Sequence, residues 1–136
     1  MKWFSRKEFV ALLPIVPTML TRSMRPAAPR AADVHPDPRP GIDASRVTPR
    51  EHVEHGAAEF DMVREIPQVI DGIRCQCGCA DVPDHYSLLS CYEGRGMAQH
   101  CEVCRRQVRL AHRLQARGHT LDEIRARIDE EFATGQ

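Results

Sequence analysis

The chain has 136 residues, with 19 lysines and arginines balanced by 19 aspartates and glutamates, so its formal net charge is zero. This balance argues against the basic surface that a nucleic-acid-binding protein normally needs. The length allows one small domain, and small domains often depend on disulfides, a metal or a partner for stability. We therefore expect the six cysteines to belong to the fold itself.

The first 25 residues combine a basic start with an apolar run. Lys2, Arg6 and Lys7 precede FVALLPIVPTML, which is too short for a membrane-spanning helix. This arrangement is typical of an export signal, and SRKEFV resembles a twin-arginine signal with lysine in place of the second arginine. We predict that residues 1–25 direct the protein to the periplasm or cell envelope. The alternatives are an uncleaved N-terminus attached to the membrane and an unordered basic start.

A proline-rich segment follows. Residues 26–50 contain six of the ten prolines and show no apolar periodicity. Such a composition is typical of a semi-extended linker, which we place at residues 26–47. The remaining residues, 48–133, are predicted to form one Cys-rich domain.

The domain is predicted to be all-α, with three principal helices. The first should span residues 49–65, because TPRE at 48–51 matches a capping box with Thr48 as the N-cap. Pro67 should end this helix and start a short segment that reaches about Ile73. The buried face of the first helix would consist of Val53, Ala57, Phe60 and Val63.

Two further helices are predicted over residues 101–117 and 121–133. Gly118 should end the first, and TLDE at 120–123 is a capping box for the second. The short connection RGHT predicts an antiparallel hairpin. The expected buried faces comprise Val103, Cys104, Gln107, Val108, Leu110, Ala111 and Leu114 on one helix and Leu121, Ile124, Ile128 and Phe132 on the other.

Between these helices lies a Cys-rich loop that begins with a CxCxC run. In an extended segment, Cys75, Cys77 and Cys79 would present three sulfurs on one side. Gly78 would allow a tight turn between the last two. Cysteines at this spacing make strained disulfide partners, which favours metal ligation. A short helical turn containing Tyr86, Leu88 and Leu89 is expected to cover the cluster as part of the core.

The remaining cysteines are Cys91 and the CxxC pair Cys101 and Cys104. This pair should share one face at the start of a helix, where the positive end of the helix favours thiolate. It could bind metal or exchange disulfides, with Cys101 attacking and Cys104 resolving. An exported location also leaves three structural disulfides open, because oxidising compartments pair free thiols.

Metal binding is favoured over both alternatives, with Cu(I) or Zn as the metal, because thiolate-rich sites select soft ions. One Zn takes four ligands, whereas a multinuclear Cu(I) site could use every cysteine. The chain shows no catalytic Ser-His-Asp order and no phosphate-binding glycine loop, so a metal-handling protein is favoured over an enzyme. The candidate ligands are Cys75, Cys77, Cys79, Cys91, Cys101, Cys104, His85 and His100.

Several segments also carry a family resemblance. CQCGC, HYSLLSCY, HCEVC and GHTLDEIRARIDEEF resemble the bacterial PCYCGC-motif family of exported, often lipid-anchored small proteins. The similarity covers residues 60–133. Arg74 and Gln76 replace the proline and tyrosine of that motif, and no cysteine follows the apolar run to accept a lipid. The CEVC pair and last helix are also weakly similar to the thiol-reductase subunit of cytochrome c maturation, which implies the redox alternative.

The sequence thus predicts an exported metal-binding protein that handles Cu(I) or Zn. Its expected partners are the metal ion and a protein that donates or receives it, with no role for nucleic acid. Membrane attachment would depend on an uncleaved N-terminus. The alternatives are an extracytoplasmic thiol–disulfide protein and a disulfide-stapled interaction domain.

Overall fold

The computed structural model describes residues 34–132, and every regular element within this range is helical. The α-helices are α1 (Ala57–Glu65), α2 (Pro67–Asp71), α3 (Glu102–Ala116) and α4 (Leu121–Phe132). Short 3-10 helices lie at Ala44–Arg46, Arg50–His52, Cys79–Asp81, Leu88–Tyr92 and Met97–His100. The predicted all-α class is therefore confirmed for this part of the chain. The predicted export signal and residues 26–33 of the predicted linker lie outside the described residues.

Helix α3 occupies the centre of the domain and packs against α1, α2 and α4. Its inward face is buried at the predicted positions, except that Val103 is only half-buried. Each large apolar side chain that is buried contributes about 1.5–3 kcal/mol to stability, so this face of α3 makes a large contribution to the packing energy. The large core side chains that are completely buried include Phe60, Val63, Ile70, Ile73, Leu88, Leu89, Tyr92, Val108, Ile124 and Ile128.

The connection between α3 and α4 has the predicted chemistry. Gly118 has a φ of +85°, and its N–H donates to the Gln115 carbonyl at 3.0 Å while His119 N–H donates to Leu114 at 3.2 Å. These two bonds form a Schellman motif at the end of α3. Thr120 and Glu123 then exchange hydrogen bonds at 2.8 and 3.3 Å, which confirms the capping box.

The start of the first helix differs from the prediction. Helix α1 begins at Ala57, after Gly56 at a φ of 72°, and within residues 49–56 only Arg50–His52 is helical, as a 3-10 turn. The side chain of Thr48 does not cap a helix, because its hydroxyl donates to the Tyr92 carbonyl at 2.8 Å. A buried tertiary partner therefore replaces the local cap. Ala57 is exposed and lies outside the buried stripe.

Residues 34–47, which were predicted as the second half of the linker, lie against the helices. Ile42 and Val47 are buried in the core, and Arg39 pairs with Asp71 of α2 at 2.7 Å. His35 accepts the N–H of Arg74 at 2.9 Å through Nδ1. A few apolar and charged anchors thus fix a segment whose proline content resembles that of a linker. Across residues 34–132 the structure contains no helix with the length and apolar character needed to cross a membrane.

Candidate metal centre

Five cysteine sulfurs meet beside the first turn of α3. The sulfur of Cys75 lies 3.1 Å from that of Cys77, 3.5 Å from that of Cys104 and 3.6 Å from that of Cys91. The sulfur of Cys77 lies 2.9 Å from that of Cys79 and 3.6 Å from that of Cys104. All six cysteines of the chain are free of disulfides. The cluster therefore contains every cysteine except Cys101.

The CxCxC run forms a turn at residues 76–78 rather than the predicted extended segment. Gly78, at a φ of 91°, adopts the left-handed conformation that lets Cys79 fold back towards Cys77. The curvature of the backbone in this turn, rather than the alternation of side chains along a strand, brings the sulfurs of Cys75, Cys77 and Cys79 together. The 3-10 helix Leu88–Tyr92 supplies Cys91, and α3 supplies Cys104.

Gln107 fixes the Cys-rich loop to α3, and sequence reasoning missed this role. Its carbonyl oxygen accepts the N–H of Gln76 at 3.0 Å, and its amide donates to the Arg74 carbonyl at 3.1 Å. Gln107 is completely buried and lies one turn beyond Cys104 on the same helix. A glutamine within a buried stripe was the available signal, because a buried amide requires partners.

Asp71 provides a second anchor. Its carboxylate accepts hydrogen bonds from the Arg39 side chain at 2.7 Å and from the Ser87 hydroxyl at 2.8 Å. Burial would raise the pKa of Asp71, but these hydrogen bonds outweigh burial and keep the pKa below its usual value. Ser87 is the N-cap of the 3-10 helix Leu88–Tyr92, so this contact positions Cys91.

His85 borders the cluster. Its Nε2 lies 3.1 Å from the sulfur of Cys91. Its Nδ1 is buried and has no hydrogen-bond partner among residues 34–132. Burial lowers the pKa of His85, which favours the neutral imidazole that metals require. His85 is therefore suited to be a nitrogen ligand beside the thiols.

The ligand atoms form two overlapping groups, and within each group all the atoms lie within 4.8 Å of one another. One group consists of Cys75, Cys77, Cys91 and Cys104, and we call it the inner group because three of its four members are buried. The other consists of Cys75, Cys79, His85 and Cys91, and we call it the outer group because two of its members are only half-buried.

Two predicted ligands lie outside both groups. Cys101 is the N-cap residue of α3 and is half-buried. His100 is exposed, and its ring packs edge-on against that of His55 at 5.9 Å. The structure thus brings together six of the eight candidate ligands. Sequence spacing did not separate Cys101 from Cys104, because only the path of the loop determines which one faces the cluster.

The thiols influence one another's ionisation. Hydrogen bonds from Cys104, Cys75 and Cys91 lower the pKa of Cys77. Burial, followed by the contact with Cys77, raises the pKa of Cys79 to about 12. The pKa of Cys104 is raised by its hydrogen bonds with Cys75 and Cys77. One thiolate is therefore stabilised by its neighbours, while further thiolates require a compensating cation.

A cavity of about 400 Å³ opens beside the outer group. Its lining includes Cys75 and His85 together with His35, Arg74 and Tyr86. Tyr86 is 42% exposed, so its predicted place in the core is wrong, although Leu88 and Leu89 are completely buried as expected. The Tyr86 ring instead contacts the guanidinium of Arg39 at 4.5 Å and forms one wall of the cavity.

Comparisons with known proteins gave no match. No family model matches this chain, and neither the curated proteins nor the solved structures gave a significant match. The resemblance to the PCYCGC-motif family therefore stays a prediction. The function is inferred from the chemistry of the cluster.

Proposed function

We propose that this domain binds a soft metal ion, Cu(I) or Zn²⁺, through its clustered thiolates. The observation that carries the proposal is the inner group, which collects four sulfurs from three separate parts of the chain. Tetrahedral Zn with metal–sulfur bonds of about 2.3 Å separates its sulfurs by about 3.8 Å. The separations of Cys75 from Cys77, Cys104 and Cys91, and of Cys77 from Cys104, are 3.1–3.6 Å and close to that value. They are well beyond the roughly 2.05 Å of a disulfide bond.

The proposed setting is extracytoplasmic, with the domain exchanging its metal with another protein. The basic and apolar N-terminus supports export, either as a cleaved signal or as a membrane attachment. The half-buried ligands Cys79 and His85 support exchange, because an incoming protein thiol needs access to the ion. Together these features favour a metal-handling role over a purely structural site.

Thiol–disulfide exchange by the CxxC pair has less support. A redox pair needs an accessible attacking thiolate and a resolving cysteine beside it. Cys101 is half-buried at the helix N-cap, but the sulfur of Cys104 is buried and contacts Cys75 and Cys77. Cys104 is thus better placed as a ligand than as a resolving thiol.

Metal titration of reduced, metal-free protein tests the proposal. Zn²⁺ and Cu(I) are added separately in competition with a chromogenic chelator. We expect stoichiometric binding, a loss of at least about a hundredfold in affinity for Cys104→Ser, and little change for the matched variant Cys101→Ser. Failure of the wild-type protein to compete with the chelator would rule out the metal-binding function.

Intact-mass measurement on protein isolated from the cell envelope tests the setting. We expect a mass, under non-denaturing conditions, that includes bound metal and has all six thiols reduced. A metal-free protein that has lost six thiol protons would instead establish three disulfides. Retention of the protein in the cytoplasm would contradict export without affecting the titration result.

A further inference from the structure

The inner and outer groups share two members, Cys75 and Cys91. Building on the metal-binding function above, we propose that the cluster holds two divalent ions bridged by the thiolates of Cys75 and Cys91. These two sulfurs lie 3.6 Å apart, and both belong to completely or almost completely buried residues. A thiolate has several lone pairs and can bind two ions at once, so two shared sulfurs are sufficient for a bridged pair.

The unshared ligands divide evenly between the two positions. Cys77 and Cys104 would complete the inner ion, and Cys79 and His85 would complete the outer one. Each ion then has four ligands, which is the coordination that Zn²⁺ prefers. A single ion in the inner group would leave Cys79 unused beside it. It would also leave the imidazole of His85, whose Nε2 lies 3.1 Å from the sulfur of Cys91, beside the site without a metal to bind.

The charge of the cluster also favours two divalent ions. A single Zn²⁺ held by the four thiolates of the inner group would leave two negative charges uncompensated in a buried site, which is costly. Two divalent ions held by five thiolates would leave only one. Arg74, which carries a charge of the opposite sign, is among the residues that line the adjacent cavity. Two Cu(I) ions would offset only two charges, so the bridged arrangement is better suited to Zn²⁺.

The two positions differ in access. The inner ion would be enclosed by α3 and the turn at residues 76–78, with Cys77 as its one half-buried ligand. The outer ion would have two half-buried ligands, and the open cavity reaches it at Cys75 and His85. The outer ion is therefore the exchangeable one, and the inner ion is the one that stabilises the fold.

Native mass spectrometry of the reduced full chain, loaded with Zn²⁺ alone, distinguishes the outcomes. We expect two ions per chain. One ion would overturn the bridged pair while leaving the metal-binding function intact. No bound ion would overturn both. Cadmium NMR of protein loaded with Cd²⁺ in place of Zn²⁺ should show two resonances that are coupled to each other. Two uncoupled resonances would exclude shared thiolates.

Variants assign each position. His85→Ala should retain one ion, which would occupy the inner group, and Cys101→Ser should retain two because Cys101 belongs to neither group. Loss of an ion in Cys101→Ser would overturn the ligand assignment. Circular dichroism of each variant shows whether a loss reflects unfolding, and Cys79→Ser provides a second outer-group variant if His85→Ala fails to fold.

The rate of metal release tests the difference in access between the two positions. Against excess chelator, one ion should leave the wild-type protein at least about tenfold faster than the other. Equal rates would overturn the exchangeable outer position.

Discussion

The α3–α4 hairpin and the segment 74–101, which we call the thiol segment, are stabilised in different ways. The hairpin has complete apolar stripes and hydrogen-bonded caps at its connection. The thiol segment contains only short 3-10 turns. Its side chains Leu88, Leu89 and Tyr92 are buried in the core, and its polar anchors are Gln107 and the Ser87–Asp71 contact. The hairpin can therefore form from local signals, whereas the thiol segment depends on partners that are distant in sequence and on the metal that we propose.

This contrast has an energetic consequence. Apolar burial stabilises the hairpin irrespective of ions, while several ionised thiolates in contact are stable only when a cation compensates their charge. Metal binding should therefore stabilise the thiol segment selectively. Four experiments test the contrast, in order of decreasing expected effect.

Removal of metal should have the largest effect. Stripping Zn²⁺ from the reduced protein with a chelator should lower the amide-exchange protection of the thiol segment far more than that of the hairpin. A ligand present at about a thousand times its Kd stabilises the state that binds it by about 4 kcal/mol. Hydrogen-exchange mass spectrometry should show that the hairpin retains most of its protection. Equal loss in both regions would contradict the contrast.

Asp71→Asn should be the most destabilising single substitution considered. The side chain of Asp71 is completely buried. Replacing its carboxylate with a neutral amide leaves the guanidinium of Arg39 without its main charged partner. We expect a loss of about 3 kcal/mol at neutral pH in denaturant unfolding. Asp61→Asn is the control, because the carboxylate of Asp61 is exposed although it pairs with Arg50 and Arg64, and it should change stability little.

The pH dependence of this effect has a definite sign. The pKa of Asp71 lies below its usual value in the folded protein, so its contribution is complete above about pH 4 and is lost as the pH falls further. The stability difference between wild type and Asp71→Asn should therefore shrink in acid. A difference that stays constant down to about pH 2 would show that ionised Asp71 is not its source.

Gln107→Leu should destabilise the protein by about 2 kcal/mol, because the N–H of Gln76 and the carbonyl of Arg74 lose their partner. It should also weaken Zn²⁺ binding, since it releases the loop that carries Cys75 and Cys77. Gln115→Leu, two turns further along α3, is the matched control because Gln115 is half-buried and distant from the loop. Unchanged Zn²⁺ affinity in Gln107→Leu would mean that the amide supports only the fold.

Thr120→Ala should have the smallest effect, a loss of about 1 kcal/mol from the cap of α4. The number of bound Zn²⁺ ions should not change, because the hairpin connection lies away from the thiol segment. Thr120→Ser keeps the hydroxyl and should restore most of the stability. A change in metal stoichiometry would show that the two regions are not independent.

The sequence by itself determined the helical class and the hairpin. Gly118 and the TLDE capping box act within a few residues, and the apolar stripes of α3 and α4 repeat at the helical period. The same reasoning wrongly predicted a helix cap at Thr48, because the Thr48 hydroxyl donates instead to the Tyr92 carbonyl, 44 residues away. Local signals are reliable where no tertiary partner competes for the same group.

Only the tertiary structure decided how the thiols are divided. Spacing identified the cysteines and His85 as ligand types, but it could not show that Cys104 meets Cys75 across 29 residues while Cys101 lies outside both groups. Nor could it show that Gln107 fixes the loop. These contacts depend on how a loop without periodic structure crosses a helix end, and that path is set by buried polar partners far away in sequence.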